Sequence, residues 1–178
     1  METLFASIKK FKNYNKDAIY FENKVVSYKT LYSNILKMAN YLSELGIKEK
    51  DVVTLVLPNI PSCIYAFYAL NGLGAIQNIL HPLTPLKKIK ESMKETNSKY
   101  LITLGTLYHD IKKEEVTDIK YILANAYYDK GIVYRKLFNL KYKLPNNKNN
   151  IYNLDLYNKK KEITYVYFFF YINVVYIQ

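Results

Sequence analysis

Cysteine occurs once in the 178 residues, at Cys63. No disulfide can form within the chain, and no CxxC or Cys/His set marks a zinc site. Placed on an apolar helix face, a lone cysteine reads as a small core residue rather than a nucleophile. Histidine occurs twice, at His81 and His109, and no serine or cysteine is spaced to complete a triad with either. Arginine also occurs once, at Arg135, so the net charge of +11 comes from lysines spread from Lys9 to Lys161. Bidentate phosphate and base contacts favour arginine, and the charge therefore predicts no specific nucleic-acid partner. The five glycines are Gly46, Gly72, Gly74, Gly105 and Gly131, and no two of them lie in a phosphate-cradling loop. Gly72-Leu73-Gly74 follows a predicted helix and precedes a predicted strand, the reverse of a dinucleotide fingerprint, and reads as a helix stop. The opening METLFASIKKFKNYNKD has no apolar run of signal-peptide length, so export is not expected and a reduced, cytoplasmic setting is.

What is present is ordinary globular material, 50% apolar and 23% charged, with enough length for one domain. Leu4, Phe5, Ile8 and Phe11 suit a short amphipathic helix. Residues 18–27 predict a hairpin around Glu22-Asn23-Lys24. Ser27 stands at a helix N-cap, and Leu31, Ile35, Met38, Ala39, Leu42 and Leu45 share one face of a helix over 28–45, stopped by Gly46. The near-continuous apolar run from Asp51 to Leu57 suits a strand buried on both faces, as in a parallel sheet. Pro58 and Pro61 bracket a turn. A buried helix follows over 62–73, ended by Gly72 and Gly74, then a strand over 75–80. Thr84 and Pro85 take the cap and first-turn positions of a third helix over 85–97, and residues 100–103 and 119–125 predict further strands. Alternating helices and strands joined by short connections predict an α/β fold, a parallel sheet with flanking helices.

Beyond this the pattern thins. Residues 1–126 form the interpretable α/β portion. Residues 127–161 are rich in Lys, Asn and Tyr, with Leu137, Phe138 and Leu140 as the one small apolar cluster and 144–150 as a loop. Residues 162–178 end in a hydrophobic tail, ITYVYFFFYINVVYIQ. As a membrane helix that run is short, about 24 Å against a hydrocarbon core of ~30 Å, and its β-branched and aromatic content favours strand. Lys159, Lys160 and Lys161 would suit a membrane flank, so contact through 163–178 stands as a competing reading.

The stretch from Ala18 to Asn125 resembles the N-terminal subdomain of the adenylate-forming (AMP-binding) superfamily, which includes acyl-CoA synthetases, luciferases and nonribosomal adenylation domains. The resemblance rests on an ordered set. It begins with Ser27-Tyr28, Leu31, Leu42 and Leu45-Gly46, and runs through Asp51-Val52-Val53, Leu57-Pro58-Asn59, Pro61, Ala69, Gly72 and Gly74-Ala75. It closes with Pro82, Pro85 and Tyr100-Leu101-Ile102. The chain departs from the family at Lys50, where glycine is usual, and at His81-Pro82, where Asn-Pro is common.

The resemblance implies an AMP-forming acid–thiol ligase: a carboxylate attacks the α-phosphate of ATP, and the acyl-adenylate passes its acyl group to a thiol such as that of CoA. It implies ATP, magnesium and CoA for the family. It assigns no catalytic, cofactor-binding or metal residue to this chain, and none is expected to be bound by it alone. In the family a hydrophobic strand, often preceded by an acidic residue, runs into a Ser/Thr/Gly-rich phosphate loop. Glu162 to Tyr167 resembles that strand, as does Val174 to Ile177, yet Phe168 to Tyr171 stands where the first alignment needs the loop. The expectation is a truncated or frame-disrupted synthetase, inactive alone, whose partner would be the missing remainder. Fatty, aryl, acetyl and amino acids all stay open as substrates, with fatty acids the default. The competing readings are a non-catalytic interaction module and a tail-anchored membrane-surface protein. His81 reads as a hydrogen-bonded loop histidine, His109-Asp110 as polar surface, Glu114-Glu115 as a solvated face, and the tyrosines, most at core-compatible or tail positions, as core rather than base-stacking residues.

Overall fold

The computed structural model describes residues 3–113, 118–127, 132–142, 150–163 and 174–175. In chain order the elements are α1 (Leu4–Lys9), β1 (Asp17–Phe21), β2 (Lys24–Ser27), α2 (Tyr28–Glu44), β3 (Val52–Val56), α3 (Pro61–Gly72), β4 (Ile76–Ile79), α4 (Leu86–Glu95), β5 (Tyr100–Leu104), α5 (Tyr108–Lys112), β6 (Lys120–Ala124), α6 (Ile132–Tyr142), β7 (Ile151–Asn153) and β8 (Val174–Val175). The chain divides into two compact units. One comprises Met1–Asp51, Asn59–Gln77 and Leu156–Val174, the other Val52–Pro58, Asn78–Asp155 and Val175–Gln178.

In the first unit, β1 and β2 pair antiparallel as a hairpin, with the turn at Glu22, whose φ of 52° is left-handed. The Ser27 hydroxyl accepts the Thr30 N–H at 3.2 Å and caps α2. The apolar stripe Leu31, Ile35, Met38, Ala39 and Leu42 is buried as its spacing predicts, and Gly46 ends the helix at a φ of 97°. The α3 helix begins at Pro61, where the missing N–H costs nothing because no helical acceptor exists there. It is buried on several sides, and its Asn71 accepts the Phe5 N–H at 2.9 Å, fixing the start of α1. Gly72 is the last helical residue, while Gly74, at a φ of 72°, makes the turn. A strap then crosses α2 from its C-terminal end toward its N-terminal end. Lys160 pairs with Glu44, Asn40 Nδ2 donates to the Lys161 carbonyl at 3.0 Å, and Ser33 donates to Glu162.

Ahead of β3, Asp51 Oδ2 accepts the Lys48 N–H at 2.8 Å and closes a tight turn. That turn holds Lys50 at a φ of 67°, the position where the family usually has glycine. A Cβ in the left-handed region costs about 1–2 kcal/mol, and the exposed Lys50–Glu49 contact at 3.9 Å returns little. Lys50→Gly should therefore stabilise the protein by about 1 kcal/mol, a rise of roughly 2–4 °C in Tm for this chain length. Calorimetry showing an unchanged or lower Tm would contradict this.

In sheet order the strands run β7-β6-β5-β3-β4-β8. β3 pairs parallel with β5, β5 with β6, and β6 with β7. Ile76 N donates to Asp51 O and Leu80 N to Leu55 O at the same offset, the parallel register of β4 on β3. The pleat sorts the second unit's strands into rows. Thr54, Leu101, Tyr121 and Ile151 share one face with Val56, Thr103, Leu123 and Asn153, while Leu55, Ile102, Ile122 and Tyr152 share the other. Against the first face α4 and α5 bring Ile89, Met93 and Ile111, closing a core with Val56, Leu101, Tyr121 and Leu123. On the second face Leu55, Ile102 and Ile122 are also buried, which is why these strands read as continuous apolar runs.

Two expectations change. Thr84 does not cap α4: Pro85 has an extended ψ of 144° and is itself the N-cap, one residue later than expected, with no side-chain cap hydrogen bond. Residues 127–161, read only as a polar stretch, carry α6 and β7. The loop at 144–150 lies outside the described residues except for Asn150, which has a φ of 60°.

Candidate functional site

Parallel α/β sheets bind ligands beyond the carboxyl ends of strands, at the point where successive connections leave in opposite directions. Here β3 leads to β4 on one side in the sheet order and β5 leads to β6 on the other, so the switch falls between β3 and β5. The residues at that rim are Leu57-Pro58 after β3 and Gly105, which opens a short 3-10 turn (Gly105–Leu107) after β5. These three offer backbone and apolar groups and no cationic side chain of their own.

Farther along the same rim, polar side chains close the turns. Asn125 Oδ1 accepts the Tyr127 N–H at 2.8 Å, Asn153 Oδ1 the Asp155 N–H at 2.9 Å, and Asp155 Oδ2 the Asn125 N–H at 3.2 Å. All three side chains are buried, and Asn125 Oδ1, Asn153 Oδ1 and Asp155 Oδ2 each accept from a backbone donor, so the cluster shapes the exits of β6 and β7. Nothing in the local sequence marked it beforehand except the turn-forming character of Asn and Asp.

The sequence candidates fall apart in space. His81 is exposed, and its Nδ1 accepts the Leu83 N–H at 3.2 Å in the turn after β4; it is the hydrogen-bonded loop histidine expected. Asp110 pairs with Lys113 at 3.7 Å rather than with a base, and His109 lies against the rings of Tyr108 and Tyr142. Cys63 is half-buried on α3, and burial pushes its thiol up to about 11, so it carries no thiolate near neutral pH. Tyr41, Tyr65, Tyr100, Tyr121 and Tyr157 are core residues, whereas Tyr14, Tyr20, Tyr127 and Tyr134 are exposed, so the core reading of the tyrosines holds only for a minority of those described. Glu114 and Glu115 lie outside the described residues.

Sequence reasoning missed a cleft of about 450 Å³ in the first unit, formed by the outer face of α2, the turn after α1 and the strap. Lys12, Lys29 and Lys37 line it with Ser33, Asn34 and Glu162. The nearby Tyr32 phenol is pushed up by burial and then by the Glu162 carboxylate. Spacing alone could have placed Lys29, Ser33 and Lys37 in one stripe of α2, but Lys12 and Glu162 join only through tertiary structure.

Among the described residues no three His, Cys, Asp or Glu side chains converge on a point that could hold a metal ion. No described glycine lies in a phosphate-cradling loop, since Gly46 and Gly74 are helix stops, Gly72 is helical and Gly105 opens a 3-10 turn. The described residues thus do not fit a nucleotide–magnesium site, and no chemical step is routed through them.

A parallel sheet flanked by helices, with its family-like residues at caps, stops and core positions, defines an α/β scaffold of the adenylation type. The AMP-binding enzyme family matches residues 6–166, and the chain belongs to that family. The chain is 34% identical over 91 residues to 4-coumarate:CoA ligase 1 of Petunia hybrida, covering 51% of this chain and 16% of that protein. It is 31% identical over 127 residues to 3-hydroxypropionyl-coenzyme A synthetase of Sulfurisphaera tokodaii, covering 68% of this chain and 19% of that one. Among solved structures it superposes on the N-terminal subdomain of Klebsiella oxytoca NpsA with a TM-score of 0.56 at 18% identity, over 68% of this chain and 31% of that chain. It thus spans less than a fifth of the length of these curated relatives. Among the described residues no helix is long and apolar enough to cross a membrane, and most of the 163–178 tail lies outside the described residues.

Proposed function

We propose that these residues supply the N-terminal scaffold of an ATP-dependent, AMP-forming acyl-CoA ligase and do not activate an acid by themselves. The family match over residues 6–166 carries the reading, with the ligases and synthetases among the similar proteins as support. Adenylation depends on positioning and charge stabilisation around the phosphates, and the reading is supported by the absence of a glycine-rich loop and of a metal-binding cluster among the described residues. ATP, magnesium and CoA would be held by residues beyond these, and the partner would be the remainder of the synthetase fold. Fatty acids are the default substrate class, and the setting is cytoplasmic. A non-catalytic interaction module built on the same scaffold is the second reading, motivated by the absence of a glycine-rich phosphate loop among the described residues.

The experiment is carboxylate-dependent exchange of labelled pyrophosphate into ATP, with magnesium and the whole chain. The proposal expects no exchange above a boiled control, whether or not phosphates bind elsewhere on the surface. Exchange that requires an added acid would mean that an adenylation site is assembled from residues outside those described, and would overturn it.

A further inference from the structure

We infer that the cleft between the outer face of α2 and the strap is a binding site for a soluble, phosphate-bearing small molecule. At about 450 Å³ it falls within the size range of small-molecule sites. Lys29, Ser33 and Lys37 stand at positions i, i+4 and i+8 of α2, one side-chain stripe over about 12 Å of helix. Lys12 approaches from the turn after α1. None of the three lysines forms an ion pair with a described carboxylate. Three lysines therefore line one cavity. Asn34 adds an amide donor, and no acidic residue occupies the first turn of α2 to oppose an anion there.

The single opposing charge, Glu162, is held by the Ser33 hydroxyl. The strap that carries it is fastened to α2 by Lys160–Glu44 and by the Asn40 amide on the Lys161 carbonyl. Glu162 thus stands as a fixed wall of the cleft, a carboxylate that a bound phosphate must tolerate at close range. Among the described lining residues one carboxylate stands against three lysines, a surplus of positive charge. Lysine suits this use because it meets phosphate as a point charge without the planar fork of arginine. The concavity favours a compact soluble ligand over a flat membrane or an extended polymer.

The test uses the whole chain and two probes, inorganic pyrophosphate and ribose 5-phosphate, titrated by calorimetry at low and at physiological salt. Saturable binding with one site per chain is expected. Lys29→Gln and Lys37→Gln should each weaken it about 5- to 10-fold, and Glu162→Gln should tighten it by about 3-fold or more. Lys24→Gln, on the exposed hairpin, should leave it unchanged, and circular dichroism confirms that each variant is folded. Three outcomes overturn the site: no saturable binding, equal losses in Lys24→Gln and Lys37→Gln, or weaker binding in Glu162→Gln. Binding to phosphatidic-acid vesicles that pyrophosphate does not displace would also overturn it, because the ligand would then be a lipid surface.

Discussion

Leu101→Ala should lower the stability of the protein by about 2–5 kcal/mol, among the largest effects available to a single core truncation. Leu101 is fully buried in β5, between β3 and β6 in the sheet, and packs in the core closed by Ile89, Met93 and Ile111. Its neighbours belong to strands and helices that cannot collapse independently, so the cavity left by three missing carbons stays largely open. Leu140→Ala on α6 is the matched control, because that side chain is 74% exposed and surface changes fall within about 0.5 kcal/mol. Urea denaturation of both variants checks the difference. A Leu101→Ala cost below 1 kcal/mol would mean that the core is not packed as described.

Asn78→Asp should destabilise the protein in a strongly pH-dependent way. Asn78 on β4 is fully buried, and its Nδ2 lies 3.1 Å from Thr54 Oγ1 and 2.9 Å from Ser92 Oγ. It joins β3, β4 and α4 through one amide. A carboxylic acid of the same shape fits when neutral, but burial resists its ionisation and raises its folded-state pKa above the unfolded value of about 3.9. The folded state then holds the proton longer than the unfolded state. The penalty is therefore absent below pH 4 and grows as pH rises toward the folded pKa. A shift of about two units corresponds to roughly 3 kcal/mol between pH 4 and pH 7; rotation of the Thr54 and Ser92 hydroxyls toward the carboxylate would reduce it. Stability curves for the variant and the parent that run parallel across that range would contradict the burial of this amide.

Asn78 also shows where sequence reading stops. It sits in AIQNIL, and the strand around it was legible from its apolar neighbours, but the partner of a buried amide is set by α4 and β3. The α2 helix was legible almost residue for residue because its signals are local: a serine cap, a stripe at steps of three and four, and a glycine stop. The same holds for β3, whose continuous β-branched run reflects burial on both faces. The family-like residues were recognisable for a related reason. Ser27 caps, Asp51 closes a turn, Pro61 opens α3, and Leu42 and Ala69 are fully buried, so each is fixed by a local geometric demand. They record the scaffold.

Local signals failed for α6. Of its apolar residues Phe138 is buried, whereas Ile132, Val133, Leu137 and Leu140 are exposed, so no inward-facing stripe stands out. The three-residue strand β7 is too short for alternation to register, and its place is set by pairing with β6. At the start of α4 the Thr-Pro pair gave the right helix one residue out of phase, because Pro85 keeps an extended ψ and takes the N-cap itself. The lysine-lined cleft was invisible for the same reason as the Asn78 partners: its walls come from residues 12, 29–37 and 162.

The most direct test of the scaffold reading is ATP-dependent release of pyrophosphate by the purified protein, with magnesium and a panel of fatty, aryl, short-chain and amino acids. The account predicts no release above a boiled control from protein whose circular dichroism shows a folded α/β chain. Carboxylate-dependent release at a rate proportional to protein concentration would contradict it, because the chain would then contain an adenylation site of its own.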